Sequence, residues 1–252
     1  MAKEISDALL EKIQNEFDDA FNKSSVIQTI KELADDGKAD YVDANKFATE
    51  VGEILAQSYQ NNLSSEVLPN GRMKEELAKK IITPTLKNNH EIISDLSTSV
   101  QGSLNNQAGI NIKAVTPKLN KSRVKGFISR IGQEENFDDI KWILDQPVVN
   151  FSISVVDKTI KDNVKFQYDS GYTAIVTRKA ESNPCKWCRN LTGTYDYEDV
   201  KSRGNDVFRR HENCRCTVIY DPRDGGFKQN VHTKQKLDAD EKERRILFNL
   251  GK

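Results

Sequence analysis

The residues best suited to chemistry in this chain are four cysteines and a histidine crowded into its last third: Cys185, Cys188, His211, Cys214 and Cys216. Cys185 and Cys188 form C-x-x-C, a spacing that lets one tight turn present both sulfurs to a single cation at about 2.3 Å. H-E-N-C-R-C follows, with 22 residues between Cys188 and His211. If Cys216 opens a strand, Cys214 and Cys216 project to one side and Arg215 to the other. Five candidate donors for four tetrahedral places leave two sets open. One is four thiolates, with His211 as a substitute ligand or a donor behind the ligands; the other is three thiolates with the His211 imidazole. The four-thiolate set is the favoured expectation, and the ion expected on it is Zn2+ in a structural role, because a closed site leaves no position for water.

Other uses of these residues fit less well. Two disulfides would need an oxidising compartment, and a redox pair at Cys185 and Cys188 would need a surrounding βαβ unit that the sequence lacks. A Cys–His nucleophile, or His211 as the base of a zinc-supported nuclease, would want further histidines nearby, whereas the chain has only His90, His211 and His232. His90 and His232 are expected to be exposed. No catalytic residue and no organic cofactor are expected. Between 178 and 216, nine Lys and Arg face six Asp and Glu. A solvated basic face is the expectation, with weak DNA contact through Arg189, Arg209 and Arg210 as the alternative.

Those donors must be positioned by a chain of 252 residues, long enough to bury a core without covalent staples. Lys plus Arg and Asp plus Glu cancel at 38 each, so no overall field steers the molecule to nucleic acid or an anionic membrane. No stretch approaches the roughly 18 to 20 apolar residues of a membrane span, and the first residues lack the apolar core of a secretion signal. Folding in a cytosol is expected.

Ile5, Leu9, Ile13, Phe17 and Phe21, at steps of four, predict an amphipathic helix. A second helix is expected after the caps Ser24 and Ser25, ending at Gly37, and a third from about Asp43 to Tyr59. Asn70-Gly71 marks a turn, and Met73 to Ile82 open a fourth helix that Pro84 should kink or end, with another run over 86–100. The segment 103–118 reads as a connection between a helical region, 1–102, and a second domain, 119–222. In that domain, short helices over 122–131 and 137–144 precede a longer one over 150–168. The stretches 172–178, 191–195 and 216–220 are β-branched, aromatic and bounded by turn formers, which predicts a small antiparallel sheet. The fold class is therefore α+β, a helical array followed by a small α/β domain. A polar tail, 223–252, carries Ile246, Leu247, Phe248 and Leu250 as a candidate docking helix.

The strings C-K-W-C-R-N-L-T-G-T-Y at 185–195 and D-V-F-R-R-H-E-N-C-R-C-T-V-I-Y-D-P at 206–222 resemble the carboxy-terminal signature of the Mu F-like minor head proteins of tailed bacteriophages. The shared elements are Cys185, Cys188, Gly193, His211, Cys214, Arg215 and Cys216. G-K-A-D-Y-V-D-A-N-K-F-A at 37–48, L-P-N-G-R-M at 68–73 and V-V-D-K-T-I-K-D-N at 155–163 resemble the subgroup from phages and prophages of low-GC Gram-positive bacteria. The resemblance implies a virion protein of few copies, built into the head in the host cytoplasm beside the portal protein, with major capsid or scaffolding protein as further partners and no membrane. It also implies a position at the portal or capsid interior and a role in DNA packaging or ejection. A distant likeness of that family to ADP-ribosyltransferases implies a rival, an injected effector enzyme; a nuclease and a zinc-ribbon nucleic-acid-binding module are the others. The enzyme finds no residues here: the one Glu-x-Glu, Glu241 and Glu243, sits in the polar tail without a strand.

Overall fold

A computed structural model describes residues 2–180, 184–202, 206–211 and 214–224. Helix α1 (Ala2–Lys23) buries Leu9, Ile13 and Phe17, the positions its four-residue spacing selects. Helix α2 (Ser25–Asp35) starts at Ser24, whose hydroxyl accepts from the Ile27 N–H. Helix α3 (Tyr41–Asn62) begins two residues before the expected Asp43, because Asp40 and Asp43 form a reciprocal capping box there. Asn70 and Gly71 make the turn that follows, both with positive φ (55° and 69°).

Helix α4 departs from expectation. It runs unbroken over Glu75–Gln107 with Pro84 inside it, so two expected helices are one and the first residues of the expected connection are helical. An interior proline costs about 3 kcal/mol through its missing N–H and its ring. Here Ile81, Ile82 and Leu86 are fully buried around it, and the Thr85 hydroxyl bonds back to the Ile81 carbonyl at 2.7 Å. Packing over nearly the whole length of α4 outweighs the local penalty. His90, on the same helix, is buried rather than exposed, its Nε2 lying 3.2 Å from the Pro117 carbonyl.

Beyond Gly109 the chain runs without regular secondary structure to Asn120, pinned where the Asn163 amide pairs with both backbone groups of Val115, at 2.7 and 2.8 Å. Helices α5 (Lys121–Gln133) and α6 (Phe137–Ile140) follow, then α7 (Gln146–Asp169), which takes Pro147 in its first turn. α3 lies against α7 over much of its length, and helices from both sides of the 103–118 connection contribute to one hydrophobic core. The close approach is made at Gly52, where an added methyl would sit 2.8 Å from Ser152 Oγ and 2.9 Å from Val149 Cα.

The expected small sheet forms from β1 (Ile175–Lys179), β2 (Gly193–Asp196) and β3 (Thr217–Tyr220), with β1 central and antiparallel to both neighbours. Thr177 pairs with Thr194 on one side and Ile219 on the other. Alternation buries Val176 and Arg178 from β1 and Val218 and Tyr220 from β3. Short helices α8 (Lys186–Leu191) and α9 (Tyr197–Ser202) flank β2. The fold is α+β, mostly helical. No helix among the described residues is long and apolar enough to cross a membrane. His232, Glu241, Glu243 and the candidate docking helix lie outside the described residues.

Candidate metal centre

The two cysteine pairs and His211 meet at one end of the sheet. Cys185 caps α8, its sulfur accepting the Cys188 N–H at 3.4 Å, and one turn of that helix carries Cys188 inward. Cys214 and Cys216, immediately ahead of β3, are both buried while Arg215 between them is exposed, as alternation requires. The donor atoms of Cys185, Cys188 and His211 lie within 4.8 Å of one another, as do those of Cys188, Cys214 and Cys216. Cys188 belongs to both triads. Its Sγ is 3.7 Å from Cys214 Sγ and 2.9 Å from His211 Nε2, and Cys185 Sγ is 3.3 Å from the same nitrogen. The edge of a tetrahedron of sulfurs each about 2.3 Å from an ion is about 3.8 Å. The cluster therefore has the donors and spacing to hold a metal ion, and His211 sits as close to the cysteines as they do to each other.

Electrostatics around the sulfurs favour the ligand form at two of them. The Cys188 N–H bond lowers the Cys185 pKa. Burial pushes the Cys214 thiol up, but the Cys216 N–H and the Arg210 and Arg178 guanidinium groups outweigh it and leave Cys214 below the usual thiol value. Cys188 goes the other way, pushed up to about 12 by burial and then by the neighbouring cysteines. A divalent cation among them would reverse that, since a coordinated thiol is deprotonated outright.

Two arginines in the shell behind the sulfurs give the centre its character. Arg178 is completely buried and stands 5.5 Å over the Trp187 ring. It donates to the Val207 and Arg209 carbonyls at 2.5 and 2.9 Å and to Cys214 Sγ at 3.3 Å. A buried guanidinium is tolerated only beside an anion or a full set of acceptors, and a thiolate at Cys214 supplies negative charge. Arg210 is clamped by Asp157 of α7, Nη2 to Oδ1 at 2.8 Å and Nε to Oδ2, while its Nη1 donates to the Cys216 carbonyl at 2.5 Å. Its Nη2 also donates to Asn45 Oδ1 on α3 at 3.3 Å, and its Nη1 lies 3.5 Å from the Cys214 carbonyl.

Arg178 and Arg210 depart from the expected solvated basic face by pointing inward, whereas Lys179, Lys186, Arg189, Arg209 and Arg215 are exposed. Asp157, Asn45 and Arg178 were not among the expected site residues. Asp157 had one available signal, a lone carboxylate among the apolar positions of α7, where only a buried partner would keep it. Comparison of the chain with protein-family models, with curated proteins and with solved structures gives no match.

Proposed function

We propose that this chain is a structural minor head protein of a tailed bacteriophage, of the Mu F-like kind, with one zinc ion fixing its carboxy-terminal lobe. The observation that carries the reading is where the resembling stretches meet. The signature around Cys185 and Cys214 touches the stretch 37–48 through Asn45 and the stretch 155–163 through Asp157, and both contacts are made by Arg210. Residues far apart in sequence that share a family's pattern are thus joined around one buried guanidinium.

Cys185, Cys188 and Cys214 take three corners of the ion, and Cys216 and His211 compete for the fourth. Thiolate and imidazole donors suit zinc. A filled tetrahedron makes the ion a staple for a three-stranded sheet too small to hold itself together, and leaves no place for a catalytic water. The chain then acts by assembling with the portal and with capsid or scaffolding protein at the portal or capsid interior, in the host cytoplasm, and assists DNA packaging or ejection from there.

The test is mass spectrometry of DNA-filled heads purified from cells producing the phage or induced prophage that encodes the chain. The expected result is the chain present at a few copies per portal ring. Its absence from particles that contain portal and capsid protein would sink the reading.

A further inference from the structure

Beside the cysteine cluster lies an open cleft of about 600 Å3 between α5, the turn after α6, and the first half of α7, lined also by Phe208 and His211. Its charge is one-sided. Arg123, Arg130 and Arg210 line it, and no Asp or Glu does among the described residues. Arg210 is clamped by Asp157, whose charge also acts on Arg123, and among the described residues neither Arg123 nor Arg130 is in ion-pair contact with a carboxylate. Arg123 is half-buried and bonds to neutral acceptors: Ser154 Oγ at 2.9 Å, and the Asn150 and Pro147 carbonyls at 3.4 Å. Arg130 stands 5.3 Å over the ring of Trp142, which is 45% exposed although tryptophan is ordinarily well covered. The buried Asn150 lines the same cleft.

A half-buried cation with no carboxylate in ion-pair contact among the described residues and an exposed indole stacked on a second cation form a complementary set. A phosphate takes a guanidinium in paired hydrogen bonds, and a flat ring stacks on an indole or on a guanidinium plane. A volume near 600 Å3 is of the size that small-molecule sites have. We infer that this cleft binds a small flat-ringed phosphate ester of the mononucleotide type, its phosphate at Arg123 and its ring on the Trp142–Arg130 platform. The inference does not rest on the phage reading.

The experiment is isothermal titration of the full chain, metal-loaded, with AMP, GMP and UMP, and with adenosine and inorganic phosphate as the separated halves. At least one nucleotide should bind once per chain and more tightly than either half. Arg123→Gln should weaken it about tenfold or more, the factor expected from one charge-assisted hydrogen bond. Arg130→Gln and Trp142→Ala, both at exposed positions, should each weaken it several-fold and keep the test valid if the Arg123 variant folds poorly. Saturation by none of the three nucleotides at millimolar concentration overturns the inference, as does binding unchanged by Arg130→Gln and Trp142→Ala. Phosphate alone binding as tightly as the nucleotides would remove the ring site. A short single-stranded oligonucleotide binding where the mononucleotides do not would replace the small ligand with a polymer.

Discussion

Arg210 and Asp157 face each other across the junction between the cysteine-rich lobe and the helical core, with only 5% and 4% of their side chains exposed. Arg210 adjoins His211 in the chain and bonds to the Cys216 carbonyl, while Asp157 belongs to α7, so this pair is a mechanical link between the cysteine cluster and the helices. Removing one partner of such a pair costs about 3 to 5 kcal/mol, because the other charge stays buried and uncompensated. Asp157→Asn should therefore lower the unfolding free energy in urea by about that much. The double variant Asp157→Leu/Arg210→Met should recover a large part of the loss, and strict additivity of the two single changes would show that the pair is not coupled.

Metal removal should act locally. Chelation, or Cys188→Ser, is expected to abolish hydrogen-exchange protection over 175–179 and 217–220 while the far-ultraviolet helical signal is largely kept, since α1 to α5 and α7 supply most of the hydrophobic core and the strands add only Val176, Val218 and Tyr220 to it. Loss of helix in parallel with sheet would show that the ion holds the whole molecule. Cobalt substitution distinguishes the ligand sets. A Cys216→Ser variant that keeps its visible spectrum while His211→Ala shifts it assigns the fourth corner to the imidazole, and the reverse assigns it to sulfur.

A buried polar chain ties the sheet to the helices. Tyr220 donates to Gln167 Oε1, Gln167 donates to Asn105 Oδ1 at 2.7 Å, and Gln101 donates to the same oxygen at 2.8 Å while accepting from Tyr41 at 2.6 Å. Tyr220→Phe leaves Gln167 Oε1 unsatisfied with no cavity to fill. The cost should be about 1 to 3 kcal/mol in equilibrium unfolding, well above the few tenths expected of a surface hydroxyl.

His90 gives a signed pH dependence. Burial pulls its imidazole below the ordinary value of 6.5, so the folded protein resists the proton that the unfolded chain accepts. Stability from this group is intact above the unfolded value, falls as pH drops through 6.5, and levels off once pH is below the folded value. Between pH 7 and 5 the parent should lose more melting temperature than a His90→Gln variant. Equal losses in the two proteins would exclude His90 as the source.

Gly52 sits at a close helix crossing, and Gly52→Ala should cost about 1 to 3 kcal/mol because the contact across it includes Val149 Cα, which cannot swing aside. Thermal unfolding measures it. Gly102, with nothing within 4 Å of an added methyl, should tolerate or gain from the same change.

Much was legible in the sequence because it is written locally. Helix α1 follows from five apolar residues at steps of four, the strands from runs of β-branched residues between turn formers, and the convergence of Cys185 with Cys188 and of Cys214 with Cys216 from spacings of three and two. Those patterns repeat with the period of the backbone that realises them. What tertiary structure alone decided are relations between distant positions, for which no such period exists. Arg210 meets Asp157 across 53 positions and Asn45 across 165, and Arg178 reaches Cys214 across 36. An arginine in a basic stretch is ordinarily solvated, and only a carboxylate or thiolate delivered by another element makes its burial affordable. The same holds for Pro84 and His90: the rules that would end a helix at one and expose the other are propensities of about 3 kcal/mol or less, and the packing of α4 exceeds them.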